Sequence, residues 1–233
     1  MPGLLPLNSE NKPYHLELSF FEFTIVVQNS YRIMAKLNAS YYLNPDVVFL
    51  AKDLIGKTLC TRINNTLTCG IITETEAYAG VIDKASHAYG DRRTNRTEVM
   101  YSQGGVSYVY LCYGIHRLFN IVTNANGIPH AILIRAIYPV KGIEEIVKRR
   151  GIKFSANLCV GPGKVSQALG IDLVHNKLSL TGKEIWLQDD HVNIPEGSIH
   201  VGPRIGVDYA GEDAKLPYRF RIDGKDLNGI PGY

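Results

Sequence analysis

The sequence predicts an α+β fold, a single domain on a curved, mostly antiparallel β-sheet, with short helices around it and one protruding β-hairpin. Three observations predict it. Runs rich in β-branched and aromatic residues outnumber the segments of helical period. Successive runs are joined by tight turns, not by the helical crossovers that parallel strands need. The 233 residues are within reach of one hydrophobic core, and 45% hydrophobic against 20% charged residues is the balance of a soluble chain that buries one.

Residues 1–34 read as an N-terminal extension, disordered or dispensable, because Pro2, Pro6 and Pro13 break its beginning and its later residues follow neither period. Met34 stands before the first well-formed element, so residues 1–33 are expected to be expendable or to come from an upstream start codon. The apolar stretch Ser19 to Val27 is interrupted by Glu22, is shorter than the ~20 residues of a membrane helix, and has no basic segment before it. Neither a membrane span nor a secretory leader is expected.

The first helix is predicted at Asn44-Pro45-Asp46, with Asn44 as cap, Pro45 at the first helical position and Val47, Leu50, Ala51, Leu54 and Ile55 at helical spacing up to Gly56. Thr58 to Arg62 and Leu67 to Tyr78 read as strands joined at Asn64-Asn65, a pair that tolerates the positive φ of a hairpin turn. A polar loop fills 79–105. Ser107 to Tyr113, Leu118 to Thr123 and Ala131 to Tyr138 follow as strands, the first two meeting at Gly114. Gly142 to Arg150 and Val165 to Leu169 are helical, and late strands are expected around Leu178 to Leu187 and Tyr218 to Ile222. Cys60, Cys69, Cys112 and Cys159 form no C-x-x-C pair and read as four reduced thiols of a cytoplasmic protein.

Within Leu67 to Tyr78, period-two alternation puts Glu74, Glu76 and Tyr78 on one face. Two accounts fit, a solvated edge face or a general base beside a stacking platform. His87 follows in a polar loop, close enough to fold over the same wall. Three of the 14 tyrosines fall at 108, 110 and 113, and such a run is either core or a set of flat rings for a nucleobase. From Lys141 to Lys164, six basic residues face Glu144 and Glu145, and Arg92, Arg93 and Arg96 add charge near the Tyr-rich strand. These suit phosphate contact or a solvated helix face. Gly161-Pro162-Gly163-Lys164 lacks the upstream Gly and the following Ser/Thr of a phosphate-binding loop, and H-E-x-x-H, G-x-S-x-G and a suitably placed G-x-G-x-x-G are missing. Metalloprotease, α/β-hydrolase and dinucleotide-binding functions therefore lose support.

The ordered set Glu74-Thr75-Glu76-Ala77-Tyr78, His87, Asn95-Arg96, Tyr108-Val109-Tyr110, Tyr113-Gly114, Asn120, Arg135-Ala136, Gly161 to Lys164 and Arg204-Ile205-Gly206-Val207 resembles the alkyladenine (3-methyladenine) DNA glycosylase family. The likeness runs from about Leu43 to Asp223, with residues 35–233 as the glycosylase domain. It implies a monofunctional enzyme of base excision repair that flips an alkylated or deaminated purine out of duplex DNA and hydrolyses its N-glycosidic bond. Carried over motif by motif, Glu76 is the carboxylate that activates water and Arg135 the arginine beside it. Tyr78, His87 and Tyr110 hold the flipped base, with His87 the donor to a neutral purine, and Asn120 rejects guanine through its exocyclic amine. Tyr113 fills the gap in the duplex, and Arg92, Arg93, Arg96 and Lys164 meet the DNA backbone. No lysine lies beside Glu76, which fits hydrolysis without a Schiff base. The resemblance implies no cofactor and no metal, damaged double-stranded DNA as partner, no membrane, a monomer, and a place in the cytoplasm, at the nucleoid or in the nucleus. Ile115-His116-Arg117 departs from the family pattern after the wedge. The alternative is a non-catalytic nucleic-acid-binding module on the same scaffold, with Glu76 a surface residue.

Overall fold

The computed structural model describes residues 35–155, 157–223 and 227, so the expectations for 1–34 lie outside the described residues. Among these, nine strands form one antiparallel sheet: β1 (Ala35–Lys36), β2 (Thr58–Ile63), β3 (Thr66–Tyr78), β4 (Val106–Cys112), β5 (His116–Thr123), β6 (His130–Lys141), β7 (Ile185–Asp189), β8 (His200–Gly202) and β9 (Arg219–Arg221). Their order is β1-β7-β2-β3-β6-β5-β4, with β9 paired to both β3 and β8. The helices are α1 (Val47–Asp53), α2 (Ile143–Arg150) and α3 (Pro162–Leu169). The fold is α+β, as predicted, and none of the described helices is long and apolar enough to cross a membrane.

The 13-residue β3 is the spine of the sheet. Its first half pairs with β2, its second half pairs with β9 on that side, and β6 runs along the other. The β3–β6 register shifts at Ile72/Glu74 and again at Glu74/Thr75, irregularities of the kind that bend a strand and increase its twist. Alternation then sorts the sheet into two faces. Ile72, Val109, Phe119, Ile121, Ile132 and Ile134 join α1 and α3 in the main core through Leu50, Leu54, Val165 and Leu169. The intervening positions of β3 to β6 point the other way. Over them folds the 79–105 loop, held by a second cluster of Val99, Met100, Tyr101, Tyr108, Val122 and Ala131.

Several local expectations are corrected. The cap of α1 is Asp46, whose Oδ1 accepts from the amides of Val48 and Phe49 at 3.0 and 2.8 Å, so Pro45 precedes the helix and does not begin it. Asn64 and Asn65 do adopt positive φ, 50° and 61°, in a two-residue hairpin loop. That register sets Cys60 opposite Cys69 with Cα atoms 4.2 Å apart, and the two form a disulfide, which corrects the expectation of four free thiols. Of the strand expected over Leu178 to Leu187 only Ile185 onward belongs to β7, while Ser179 makes a single bridge to Val106. The short β1 and β8 were not predicted, since two or three exposed residues carry no period.

Candidate active site

Glu76 sits on the cavity side of β3 and is fully buried, so the solvated-edge account of Glu74 and Glu76 is overturned. The Ile205 amide donates to Oε1 at 2.8 Å, while the Tyr78 hydroxyl and Arg135 Nη1 donate to Oε2 at 2.9 and 3.3 Å. Burial raises the carboxyl pKa above the ordinary glutamate value, and Arg135, the Ile205 amide and Tyr78 oppose that rise. A carboxylate has about four acceptor sites, so three donors leave room for a water. Arg135, from β6, also donates through Nε to Glu74 Oε1 at 3.1 Å, and Arg219 of β9 pairs with the same oxygen. The guanidinium of Arg135 is thus fixed between two carboxylates from neighbouring β3 positions on one face.

Beside this cluster opens a cavity of about 600 Å³, a size suited to a small organic ligand. Tyr78, His87, Arg96, Tyr110, Tyr113, Asn120, Arg135 and Lys164 all line it. Glu76 lies behind this lining and bonds to three of its residues, Tyr78, Arg135 and Ile205. The His87 ring meets Tyr110 edge-on, with centroids 4.8 Å apart and planes at 77°. Burial, then Arg96 and Arg92, lower the His87 pKa to about 4, so the imidazole is neutral at neutral pH and can offer a hydrogen bond but not an acidic proton. Tyr108 meets Nδ1 at 2.8 Å and Arg96 meets Nε2 at 3.1 Å. Because a guanidinium only donates, Nε2 accepts and the ring proton belongs on Nδ1, toward Tyr108.

Asn120 is 3% exposed and lies opposite Tyr108 in the β4–β5 ladder, its Nδ2 donating to the Tyr108 carbonyl at 3.1 Å. Tyr113 begins the three-residue loop between β4 and β5, with φ of 50°, and is 87% exposed. Opposite, Gly161 adopts φ of 120°, a conformation closed to residues with a Cβ, and donates its amide to the Arg135 carbonyl at 2.8 Å. This ties the start of α3, and Lys164 with it, to the cavity wall.

The four cations assigned to the DNA backbone do not form one set. Lys164 and Arg96 line the cavity, Arg96 with its guanidinium 4.6 Å from the Tyr110 ring centroid. Arg92 lines a neighbouring cavity of about 520 Å³ together with Lys84 and Tyr209. Arg93 is in neither lining; it pairs with Glu98 at 3.4 Å and lies over Tyr101. Sequence reasoning gave no role to Asp83 and Arg204, which form a two-pronged buried pair behind Tyr78. Nor did it foresee the Ile205 amide, since a backbone group carries no residue-type signal.

A family model described as Methylpurine-DNA glycosylase (MPG) matches residues 41–226. A protein of Chlamydia felis, named provisionally a 3-methyladenine DNA glycosylase, is 49% identical over 196 residues, which is 83% of this chain and 100% of that protein. Similarly named proteins of Chlamydia abortus and Clostridium perfringens are 47% and 42% identical over 192 and 196 residues, covering 82% and 80% of this chain and 100% and 95% of theirs. Most of the described sheet and the whole cavity fall within the matched span. The chain therefore belongs to the methylpurine-DNA glycosylase family, and with it to the hydrolases of N-glycosyl bonds.

Proposed function

We propose that the protein binds duplex DNA containing damaged purines, extrudes the damaged nucleotide into the cavity beside Tyr110, and hydrolyses its glycosidic bond with a water activated by Glu76. One observation carries this: a buried, hydrogen-bonded carboxylate adjoins an aromatic-walled cavity whose rim bears an exposed tyrosine on a hairpin tip. Chemistry at a glycosidic bond inside a duplex requires the nucleotide to leave the stack, at a cost of a few kcal/mol that a damaged pair lowers. Tyr113 is placed to stack in the space left behind, as wedge side chains do in other proteins that bend or open DNA.

A purine alkylated on a ring nitrogen is cationic, stacks well against electron-rich phenol rings and departs as a neutral base. The protein then has two tasks: to stabilise positive charge growing on the sugar and to deliver water. Glu76 serves both, by its charge and as general base. Arg135 opposes the rise that burial imposes on that carboxyl and holds it in one orientation. The Asn120 side chain, pinned to the main chain at the cavity floor, cannot swing away from a guanine 2-amino group, which gives steric rejection of the normal base. A monomer suffices, since every residue in this account comes from one chain.

Glu76→Gln decides the matter. The variant is expected to bind a methylated duplex as wild type does but to release free purine about 10²–10⁴-fold more slowly in single turnover. In the wild-type reaction the strand should stay uncut until alkali is added. Unchanged release would remove Glu76 from the chemistry.

A further inference from the structure

Lys164 and Arg96 both line the cavity without a task in the proposed chemistry, and of the two the one set among the aromatic rings is Arg96. It comes from the loop before β4, yet it turns inward. Nη2 lies 3.1 Å from His87 Nε2, Nε lies 3.4 Å from the Tyr108 hydroxyl, and the guanidinium covers the face of Tyr110. Among the described residues none of these partners is anionic, so the charge is held without a carboxylate. Arg135 differs, being neutralised between Glu74 and Glu76.

We propose that Arg96 is a specificity-determining residue that polarises the departing purine, extending the reaction from cationic lesions to neutral ones such as hypoxanthine. The inference rests on the glycosylase reading above and deepens it. The site has two electrically different ends: Glu74 and Glu76, paired with Arg135 and Arg219, and a guanidinium held without a carboxylate among Tyr108, Tyr110 and His87. A purine stacked on Tyr110 either shares that ring with Arg96 or displaces it, and in both cases has the cation beside it.

The reaction moves charge along this axis. As the C1′–N9 bond breaks, its electron pair goes to the purine; the water oxygen bonds to C1′ and its proton passes to Glu76, which later returns it to solvent. A cationic lesion leaves as a neutral base and needs little help. A neutral purine leaves as an anion, which takes its proton from solvent only after release. Since the neutral His87 cannot supply a proton at pH 7, the developing anion must be held by a fixed donor, and the Arg96 guanidinium, exposed to solvent but held on the cavity wall by His87, Tyr108 and Tyr110, is a preorganised charged donor of that kind. Arg96 therefore matters in proportion to how poor the leaving group is.

The test is single-turnover release from duplexes carrying 7-methylguanine or hypoxanthine, with wild type, R96Q, R96K and E76Q at excess enzyme. R96Q is expected to slow hypoxanthine release by roughly 100-fold, the size of losing one preorganised donor, and 7-methylguanine release by less than about threefold. R96K keeps the charge but loses the planar fork, and should recover about tenfold of the hypoxanthine loss. An equal loss on both lesions would show Arg96 to be merely structural and overturn the proposal, as would no loss on either. A wild-type enzyme that releases 7-methylguanine but not hypoxanthine would overturn it too. Should R96Q not fold, the ratio of the two lesions in R96K decides by the same criterion. Wild type inactive on both lesions, or E76Q fully active, would instead bring down the glycosylase mechanism itself.

Discussion

Glu76 and His87 show how one cavity wall tunes two groups in different ways. For Glu76, burial and neighbouring donors act in opposite directions, and burial prevails, leaving the carboxyl pKa above the ordinary glutamate value. For His87, burial and two arginines act together, and the ring is kept neutral. The second case has a consequence for stability. The unfolded chain takes up a proton at His87 near pH 6.5, the folded chain only near pH 4. Unfolding therefore binds a proton within that window: the stabilisation is complete above about 6.5 and is lost as pH falls toward 4, by at most about 3 kcal/mol. Urea midpoints measured at pH 7.5, 5.5 and 4.5 should fall more steeply for wild type than for His87→Gln; parallel curves would mean that the imidazole is not held neutral.

At the scale of elements, the β4–β5 hairpin separates folding from function most cleanly. Its strands are set by alternation, with Val109 and Phe119 in the core and Tyr108, Tyr110 and Asn120 in the cavity. Its tip contributes almost nothing to packing. Tyr113→Ala is thus expected to change stability by less than about 0.5 kcal/mol while impairing capture of an extruded base, followed through the fluorescence of a reporter base beside the lesion. A large drop in melting temperature would argue that Tyr113 supports the fold instead. The hairpin was legible because period two and a tyrosine before glycine are local features. The cap of α1 was misplaced by two residues because Asn44 and Asp46 are both good caps, and only the direction of their side chains separates them.

At the scale of the whole molecule, Arg204 and Asp83 tie the cavity together. Arg204 Nη2 bonds Asp83 Oδ1 at 2.8 Å and Nη1 bonds the Ala77 carbonyl at 2.9 Å, joining the loop after β3, β3 itself and the segment that presents the Ile205 amide to Glu76. Arg204→Met leaves Asp83 buried and without its counter-charge, an arrangement that costs about 3–5 kcal/mol. Chemical denaturation should show that loss. Purine release at a permissive temperature should fall as well, because Glu76 loses a fixed donor; full activity in a destabilised variant would restrict Arg204 to stability. By itself, the order of residue types along the chain determined the long strands β2 to β6, most of their turns, and which side chains share a face of β3 and β4, because backbone periodicity is a local property. Its motifs, spaced over most of the length, also pointed to the family and to Glu76. The tertiary structure alone decided that Cys60 meets Cys69, that Arg96 turns into the cavity while Arg93 does not, and that an amide 129 positions away holds Glu76. Those contacts depend on register and on long-range closure, and neighbours in the chain carry no information about either.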